Sequence, residues 1–230
     1  MKRLFIILAA ALTLSACSDS SNKQAADTAQ KTLTISAPSG EYKNDPYHSS
    51  LSFSVTHIGL ANYVMRFTDF SAVLQLDADK PADSTIELTI NPASITTDFD
   101  GDYKSTHKQS PFSTWDEDLA QSPKFLNAGE HPEIRFASTR VMPNKDGTLN
   151  VTGDLTLLGQ THPVTLTAHL VGDVEKHPFF GFGALGFSAS GTFKRSQFGM
   201  THLTQPPLVG DDVTVSFEGE FHQVVESAAQ

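Results

Sequence analysis

One stretch of the chain, residues 48 to 60, alternates between polar and apolar side chains almost without a break. Its sequence, HSSLSFSVTHIGL, places hydroxyl side chains on one face and, on the other, Leu51, Phe53, Val55 and His57. Neighbouring side chains of a β-strand point to opposite sides, so the pattern predicts a strand with one face toward a core. A histidine ends this inward row, and a lone inward histidine needs a structural or a binding reason.

The same period of two recurs along the chain and predicts eight or more strands. The clearest segments are 84–90, 149–157, 163–170, 186–193 and 212–221, with shorter ones at 33–35, 67–76 and 133–139. Turn sequences such as Asn144-Lys145-Asp146-Gly147 separate them, so strands adjacent in sequence are expected to pair antiparallel. Such a sheet must bury its apolar face as a sandwich or a closed barrel, and closure also removes exposed edges. We therefore predict an all-β fold, an antiparallel β-barrel with one or two short helical segments.

The helical candidate lies within SPFSTWDEDLAQS, residues 110 to 122. Ser113, with Asp116 three residues later, resembles a capping box and predicts where this helix begins. The side chains expected to share its inner face are Trp115, Leu119 and Ala120.

The N-terminus has the pattern of an export signal. Two basic residues precede an apolar run, 4–12, that is too short to span a bilayer. The run ends in Leu14-Ser15-Ala16-Cys17, which resembles the lipobox of bacterial lipoproteins, with an ordinary signal peptide as the alternative. We predict a signal peptide over residues 1–16 and a lipid anchor at Cys17.

The remaining chain divides into three parts. Residues 17–32 are almost free of bulky apolar side chains and predict a flexible tether behind the lipidated cysteine. Residues 33–225 carry no repeat and no shift in composition, so they are predicted to form one domain, with a tail at 226–230. The lipoprotein resemblance implies a cell-envelope protein facing the periplasm, and Ser18 after the cysteine favours the outer membrane over the inner.

Composition excludes several function classes. The formal net charge of −10 argues against nucleic acid or anionic lipid headgroups as the main partner, so membrane contact must come from the anchor. Cys17 is the only cysteine, which excludes a cysteine-based active site and a disulfide. The sequence has no G-x-S-x-G elbow, H-E-x-x-H motif or glycine-rich phosphate loop, and we predict neither an enzyme nor a cofactor.

Nine histidines raise the question of metal binding. No pair of them forms a tight ligand motif, and a site of histidines alone needs three converging rings, so we predict no metal site. The loop carboxylates Asp98, Asp100 and Asp102 are interpreted as a solvated turn rather than a calcium site. The aromatic run at 179–187 is interpreted as a β-turn with core aromatics, with a membrane-dipping loop as the alternative.

Seven segments in order resemble the YceI-like family, whose members have a lipocalin-like barrel that binds polyisoprenoid or other long-chain amphiphilic ligands. They are DPYHSSLSFSVTHIGL (45–60), RFTDFSA (66–72), PASITT (92–97), SPKFLNAGEHPEIRFAST (122–139), VTGDLTLLGQTHPVTL (151–166), GFSASGTFKRSQFGM (186–200) and VGDDVTVSFEGEF (209–221). The chain departs from the family pattern at Met65 and Ala72, where glycine is usual, and Met65 is expected to narrow the cavity or change the curvature. It also departs at 116–120, so head-group contacts there are not carried over.

The resemblance implies a protein that binds a long apolar or amphiphilic lipid, such as a polyisoprenoid, quinone-like or fatty chain, as an envelope carrier or sequestering protein. The alternatives are an interaction protein with a filled core and, third, an enzyme on the same scaffold. The candidate ligand-binding residues share the inward parity or flank the barrel mouth: Phe53, Val55, His57, Leu88, Trp115, Phe136, Leu155 and Phe187. His57 could bind a ligand head or tie down the following turn, and the usual pairing of buried polar groups favours the second. Nothing in the sequence indicates a defined oligomeric state.

Overall fold

The computed structural model describes residues 33–205 and 208–225. The predicted signal peptide, Cys17, the tether and the tail lie outside the described residues and stay predictions. Among the residues that the structure describes, no helix has the length and apolar character needed to cross a bilayer.

In this described part, ten strands, two short α-helices and three single 3-10 turns make up the regular structure. The strands are β1 (Gly40–His57), β2 (Ala61–Phe67), β3 (Phe70–Leu76), β4 (Thr85–Ile90), β5 (Ile95–Thr96), β6 (Ile134–Pro143), β7 (Leu149–Leu157), β8 (Gln160–Val174), β9 (Ala184–Lys194) and β10 (Val209–Gln223). The helices are α1 (Tyr103–Thr106) and α2 (Trp115–Gln121), and the 3-10 turns span Pro81–Asp83, Pro92–Ser94 and Arg195–Phe198.

The sheet closes on itself through the pairing of β1 with β10. Around the ring the order is β1, β3, β4, β6, β7, β8, β9 and β10, and each of these neighbours pairs antiparallel. Strand β1 is long enough to serve two partners, since Gly40–Lys43 pairs with β3 and Leu51–His57 with β2. The prediction of a closed antiparallel β-barrel is therefore confirmed.

Strand β7 shows how the alternating pattern builds the barrel wall. Its inward row contains four buried aliphatic side chains and, in the middle, Gly153. A Cβ atom at Gly153 would lie 2.5 Å from the carbonyl oxygen of Ala137 and from the ring of Phe136. The glycine is therefore required because the Phe136 ring and the Ala137 carbonyl occupy the space that a side chain at this position needs.

Two of the predicted strands differ from the structure, and one observed strand was not predicted. Residues 33–35 form no strand, because the next residues of this segment bind a side chain instead: the N–H groups of Ser36 and Ala37 donate to Asp173 Oδ2. Residues 67–76 are broken between β2 and β3, where Thr68 N–H donates to the carbonyl of Ser94 at 3.1 Å. The sequence interpretation also missed β2, although its inward side chains alternate as those of β1 do.

The start of α2 is shifted by one residue from the predicted one. Its N-cap is Thr114, not Ser113, and the Thr114 hydroxyl accepts a hydrogen bond of 3.0 Å from Glu117 N–H. Glu117 Oε2 in turn accepts a bond of 2.7 Å from Ser113 N–H. Both serine and threonine make good N-caps, and the pairing with Glu117 selects the threonine.

The prediction of core aromatics at the start of 179–187 is wrong for its first two residues. Phe179 and Phe180 have relative exposures of 86% and 61%. The loop is closed by the bond from His177 N–H to the Phe182 carbonyl, 2.6 Å, and its tip lies on the outer surface. The Phe180 ring stacks instead on the ring of His177, with centroids 4.8 Å apart. Phe187, farther along, does face inward.

Candidate functional site

The barrel interior contains two adjoining cavities. The outer cavity has a volume of about 790 Å³ and the inner cavity about 170 Å³. Five residues line both of them, Leu51, Ile90, Leu155, Phe193 and Val215. The two cavities therefore share part of their walls, and the outer one falls within the size range of small-molecule pockets.

The inner cavity is apolar throughout. It lies beside the second buried cluster of the barrel, in which Tyr42 and Phe221 are almost fully buried. Among its described lining residues Ser84 is the one with a polar side chain. We call this the closed end of the barrel; Ile35, which precedes β1, and Pro81, in the 3-10 turn after β3, are among the residues that line the inner cavity there.

The outer cavity is apolar in depth and polar at its mouth. Its deep wall includes Phe53, Val55 and Met65, and the Phe53 ring stacks on Phe67 with centroids 5.1 Å apart. The polar side chains of the lining are Ser52, His57, Asn62, Tyr63, Thr97, Asp98, His107, Trp115, Asp118 and Arg195. Several of these are exposed to solvent, so the cavity opens at this end, which we call the open end.

An aromatic cap made by residues 97–126 covers part of the mouth. Asp116 Oδ1 fixes α2 to the end of β5, because it accepts bonds from Thr97 N–H (2.8 Å) and the Thr97 hydroxyl (2.7 Å). Trp115 packs edge-to-face on Tyr103, with centroids 4.9 Å apart. The Tyr103 hydroxyl donates to Asp118 Oδ2 at 2.7 Å, and burial raises the pKa of this phenol. The cap is thus held by specific polar bonds as well as by ring contacts.

Arg195 is the functional candidate that the sequence interpretation did not single out. It is buried, and three of its N–H groups donate to backbone carbonyls of Gly210 (2.9 Å), Val209 (3.0 Å) and Met200 (3.2 Å). Burial lowers the pKa of Arg195 from its ordinary value, while the charge of Asp211 opposes this shift. The only sign of Arg195 in the sequence is its position between Phe193 and Phe198. A basic residue in such a segment is usually exposed, so this position alone did not indicate burial.

All eight side chains proposed from the sequence line this interior. The outer cavity contains Phe53, Val55, His57 and Trp115, the inner cavity contains Leu88, Phe136 and Phe187, and Leu155 borders both. Met65 is buried in the wall of the outer cavity and leaves it open. These positions give the residues access to a ligand, and a binding role for each remains a prediction.

The expected structural role of His57 is not what the structure shows. The residue is exposed at the mouth, and its ring makes no hydrogen bond to any residue within 33–205 or 208–225. The turn after it is held by backbone bonds instead, from Leu60 N–H to the His57 carbonyl (2.9 Å) and from Ile58 N–H to the Leu208 carbonyl (2.8 Å). His57 does belong to the inward-facing row of β1, as predicted. It is the last residue of that strand and lies at the rim of the barrel, so its ring is not buried.

Comparison with known sequences agrees with this geometry. The profile of the YceI-like domain matches residues 42–221, which is most of the barrel. This chain belongs to the YceI-like family. A UPF0312 protein of Shewanella denitrificans is 37% identical over 172 residues, covering 75% of this chain and 82% of that protein. A UPF0312 protein of Ectopseudomonas mendocina is 32% identical over 172 residues.

Solved structures show the same YceI-like fold. The Campylobacter jejuni YCEI protein is 25% identical, with a TM-score of 0.60 over 74% of this chain and 90% of that one. A polyisoprenoid binding domain from Saccharophagus degradans has a TM-score of 0.54 and covers 81% of this chain and 100% of that one, at 11% identity. The second likeness is one of fold alone.

Proposed function

We propose that this YceI-like protein binds the long apolar chain of an amphiphilic lipid inside its barrel. The observation that carries the proposal is the division of the interior: the inner cavity is lined almost wholly by apolar side chains, and polar groups gather at the open end. A ligand pocket with this division buries an apolar chain in depth and leaves a polar head near water. The chain enters first, and the head stays near His57, Tyr63 and Arg195.

Burial of the chain supplies the binding free energy. Each methylene removed from water contributes about 0.8 kcal/mol, so a chain of roughly a dozen carbons binds well without a charged contact. The Saccharophagus neighbour is described as a polyisoprenoid binding domain, which supports a prenyl chain as the first ligand to test. Quinone-like and fatty chains have the same apolar character and form the comparison set.

The first experiment identifies what the barrel holds. The barrel domain, expressed without its N-terminal segment, is purified, extracted with organic solvent and analysed by mass spectrometry. It is then titrated with prenyl chains of increasing length. We expect a co-purified apolar molecule and an affinity that rises with chain length until the cavities are full. A folded protein that yields no lipid and binds no chain at micromolar concentration contradicts the proposal.

A pair of identical substitutions locates the binding inside the barrel. Val55→Trp fills the outer cavity without adding charge, because Val55 is buried in its wall. Val64→Trp is the matched control, since Val64 lies on the neighbouring strand with an exposed side chain. We expect the first variant to lose chain binding and the second to retain it. Equal binding by both variants places the ligand outside the barrel.

We also propose that the protein is a lipid-anchored envelope protein that carries or sequesters its ligand beside a membrane. The support is the lipobox-like Leu14-Ser15-Ala16-Cys17 of the sequence. Metabolic labelling with palmitate tests it: the wild-type protein is expected to label and to float with membranes, and Cys17→Ala to do neither. A Cys17→Ala protein that still labels and floats shows that the anchor is elsewhere.

A further inference from the structure

We propose that the outer surface of the closed end carries a binding site for a divalent first-row transition-metal ion, formed by His177, Glu220 and His222. Each of these residues offers one ligand atom, and the three atoms lie within 4.8 Å of one another. Two imidazoles and one carboxylate are a donor set that binds Zn²⁺ and leaves a fourth position open for water. The site is separate from the two cavities, and the proposed lipid binding uses none of its residues.

Two of the ligands come from one strand. Glu220 and His222 are two residues apart on β10, so their side chains project from the same outer face, while Phe221 between them is buried in the core. The third ligand comes from the loop between β8 and β9. That loop is fixed by its own backbone bonds, including the one from Gly181 N–H to the His177 carbonyl at 2.9 Å. The three donors are therefore brought together by the fold and not by chance proximity of mobile chains.

The separations of the two imidazoles from Glu220 are within about 0.6 Å of those around a tetrahedral ion, and the ligand atoms of the two imidazoles lie within 4.8 Å of each other. Two ligand atoms at 2.0–2.1 Å from a tetrahedral zinc ion are about 3.3–3.4 Å apart. Nε2 of His177 lies 3.5 Å from Glu220 Oε1, close to that separation. Nε2 of His222 is nearer to the same oxygen, at 2.7 Å, and forms a hydrogen bond with it. Metal binding replaces this bond and opens the pair by about 0.6 Å, which a rotation of either side chain provides.

The surroundings hold the two imidazoles in place. The side chains of His177, Glu220 and His222 have relative exposures of only 16%, 35% and 22%. The Phe180 ring stacks on His177, and the Phe182 ring lies 5.1 Å from that of His222. Half-buried ligands with restricted rotation lose less entropy on binding an ion than exposed ones do.

A second carboxylate adds negative charge beside the site. In the pairing of β1 with β10, Asn44 lies opposite Phe221 and Ser49 opposite Gly219, so the bulge at 45–48 faces Glu220. Within that bulge the buried carboxylate of Asp45 binds His48 Nδ1 at 2.5 Å. Asp45 interacts electrostatically with His222, although its partner His48 and Lys43, which lies opposite His222, offset part of its charge. The carboxylate that a cation meets directly is that of Glu220, in a partly desolvated position where electrostatic attraction is stronger than in water.

Coordination has one consequence for the loop. His177 Nδ1 accepts a hydrogen bond of 3.3 Å from Phe179 N–H. When Nε2 binds a metal, the neutral imidazole carries its proton on Nδ1, so this long bond is released. We therefore expect metal to change the environment of Phe179 and Phe180 while it fixes His177 to β10.

The test is a zinc titration of the full chain, made without a histidine tag and with Cys17→Ser to remove the competing thiol. After treatment with EDTA, calorimetry is expected to show one Zn²⁺ per chain. His177→Ala and Glu220→Gln are each expected to weaken binding by at least about tenfold. His169→Ala is the matched control, because His169 is an exposed histidine of β8, lies opposite Ser188 in the sheet and is not one of the three ligands. X-ray absorption of the zinc-loaded protein is expected to show nitrogen and oxygen ligands at about 2.0–2.1 Å.

Circular dichroism of the metal-free variants shows whether each one folds. If His177→Ala does not fold, Glu220→Gln still tests the proposal, because glutamine has nearly the same size as glutamate. A wild-type protein that takes up no zinc overturns the proposal. Equal zinc binding by the wild type, Glu220→Gln and His169→Ala overturns it as well. Lipid binding by the Val55 and Val64 variants is measured separately, so failure of one proposal is distinguishable from failure of the other.

Discussion

The two ends of the barrel differ in what their inward side chains meet. At the closed end, Tyr42 and Phe221 are almost fully buried and the cavity between the walls is small. At the open end, Phe53 and Val55 face a cavity more than four times as large, with a rim of polar side chains. The same alternating strands thus build a packed wall at one end and a lined space at the other. Both ends contain buried side chains, but the open end combines them with a larger lined space that a ligand can reach.

The largest expected effect compares one phenylalanine at each end. Phe221→Ala removes a ring that is 2% exposed, and we expect the free energy of unfolding to fall by about 3–5 kcal/mol. Phe53→Ala removes a ring that borders open space, so its loss is expected to stay below about 2 kcal/mol. Urea denaturation of both variants measures the difference. Equal losses contradict the division between a packed end and an open end.

Arg195 is the exception at the open end, because it is buried and bonded on three sides. Arg195→Met keeps the aliphatic stem but leaves three backbone carbonyls without their charged donor, and we expect a loss of about 2–3 kcal/mol. The control is Arg140→Met, which makes the same change at an exposed position on β6. A loss no larger than that of the control means that water satisfies the carbonyls and that Arg195 is not a fixed part of the mouth.

A glycine tests how tightly the wall closes around the inner cavity. In Gly153→Ala the added Cβ lies 2.5 Å from a backbone oxygen, which cannot rotate away, so a loss of about 1–3 kcal/mol is expected. Gly172→Ala is the control, since nothing lies within 4 Å of its added Cβ. The melting temperatures of the two variants measure the effect. A Gly153→Ala protein as stable as the control shows that β6 and β7 separate more easily than the packing indicates.

The period of two predicted most of the strands, and β7 (Leu149–Leu157) has the predicted bounds. It did so because one face of each strand is buried, and this determines which alternate residues point into the barrel. The alternation does not tell how far along the barrel axis a residue lies. His57 belongs to the inward-facing row, yet it lies at the rim and is exposed. The alternation also does not decide between a filled and an open interior, since that depends on ring directions such as the stacking of Phe53 on Phe67.

Two features of the structure, one in the outer cavity and one on the outer surface, could not be predicted from the sequence. Arg195 follows a strand, where basic residues are usually solvated, and its burial results from three carbonyls that converge only in the folded chain. The grouping of His177 with Glu220 and His222 has the same origin. Two of these share a strand face, but the third arrives from a loop far along the chain, so no local spacing reveals it.

The smallest expected effect is a difference in pH response between the two ends. At the closed end, burial raises the pKa of Tyr42 to about 12, so this group does not titrate near neutral pH. Near the open end, burial lowers the pKa of His202 from its ordinary 6.5, and the charges of Lys124 and Arg195 lower it further, although Asp118 opposes them. As the pH falls below 6.5, the unfolded chain takes up this proton more readily than the folded one, so stability decreases.

Above that pH the group contributes nothing, because the imidazole is neutral in both states. Replacing it in His202→Gln is therefore expected to reduce the loss of stability between pH 7.5 and 5, while His169→Gln, at an exposed position, leaves the loss unchanged. The free energy of unfolding of the three proteins at the two pH values measures this. The ring of His202 packs edge-to-face on Phe125, with centroids 5.5 Å apart, and Phe125 lines the outer cavity. If His202→Gln loses as much stability in acid as the wild type, protonation of this imidazole does not weaken the open end.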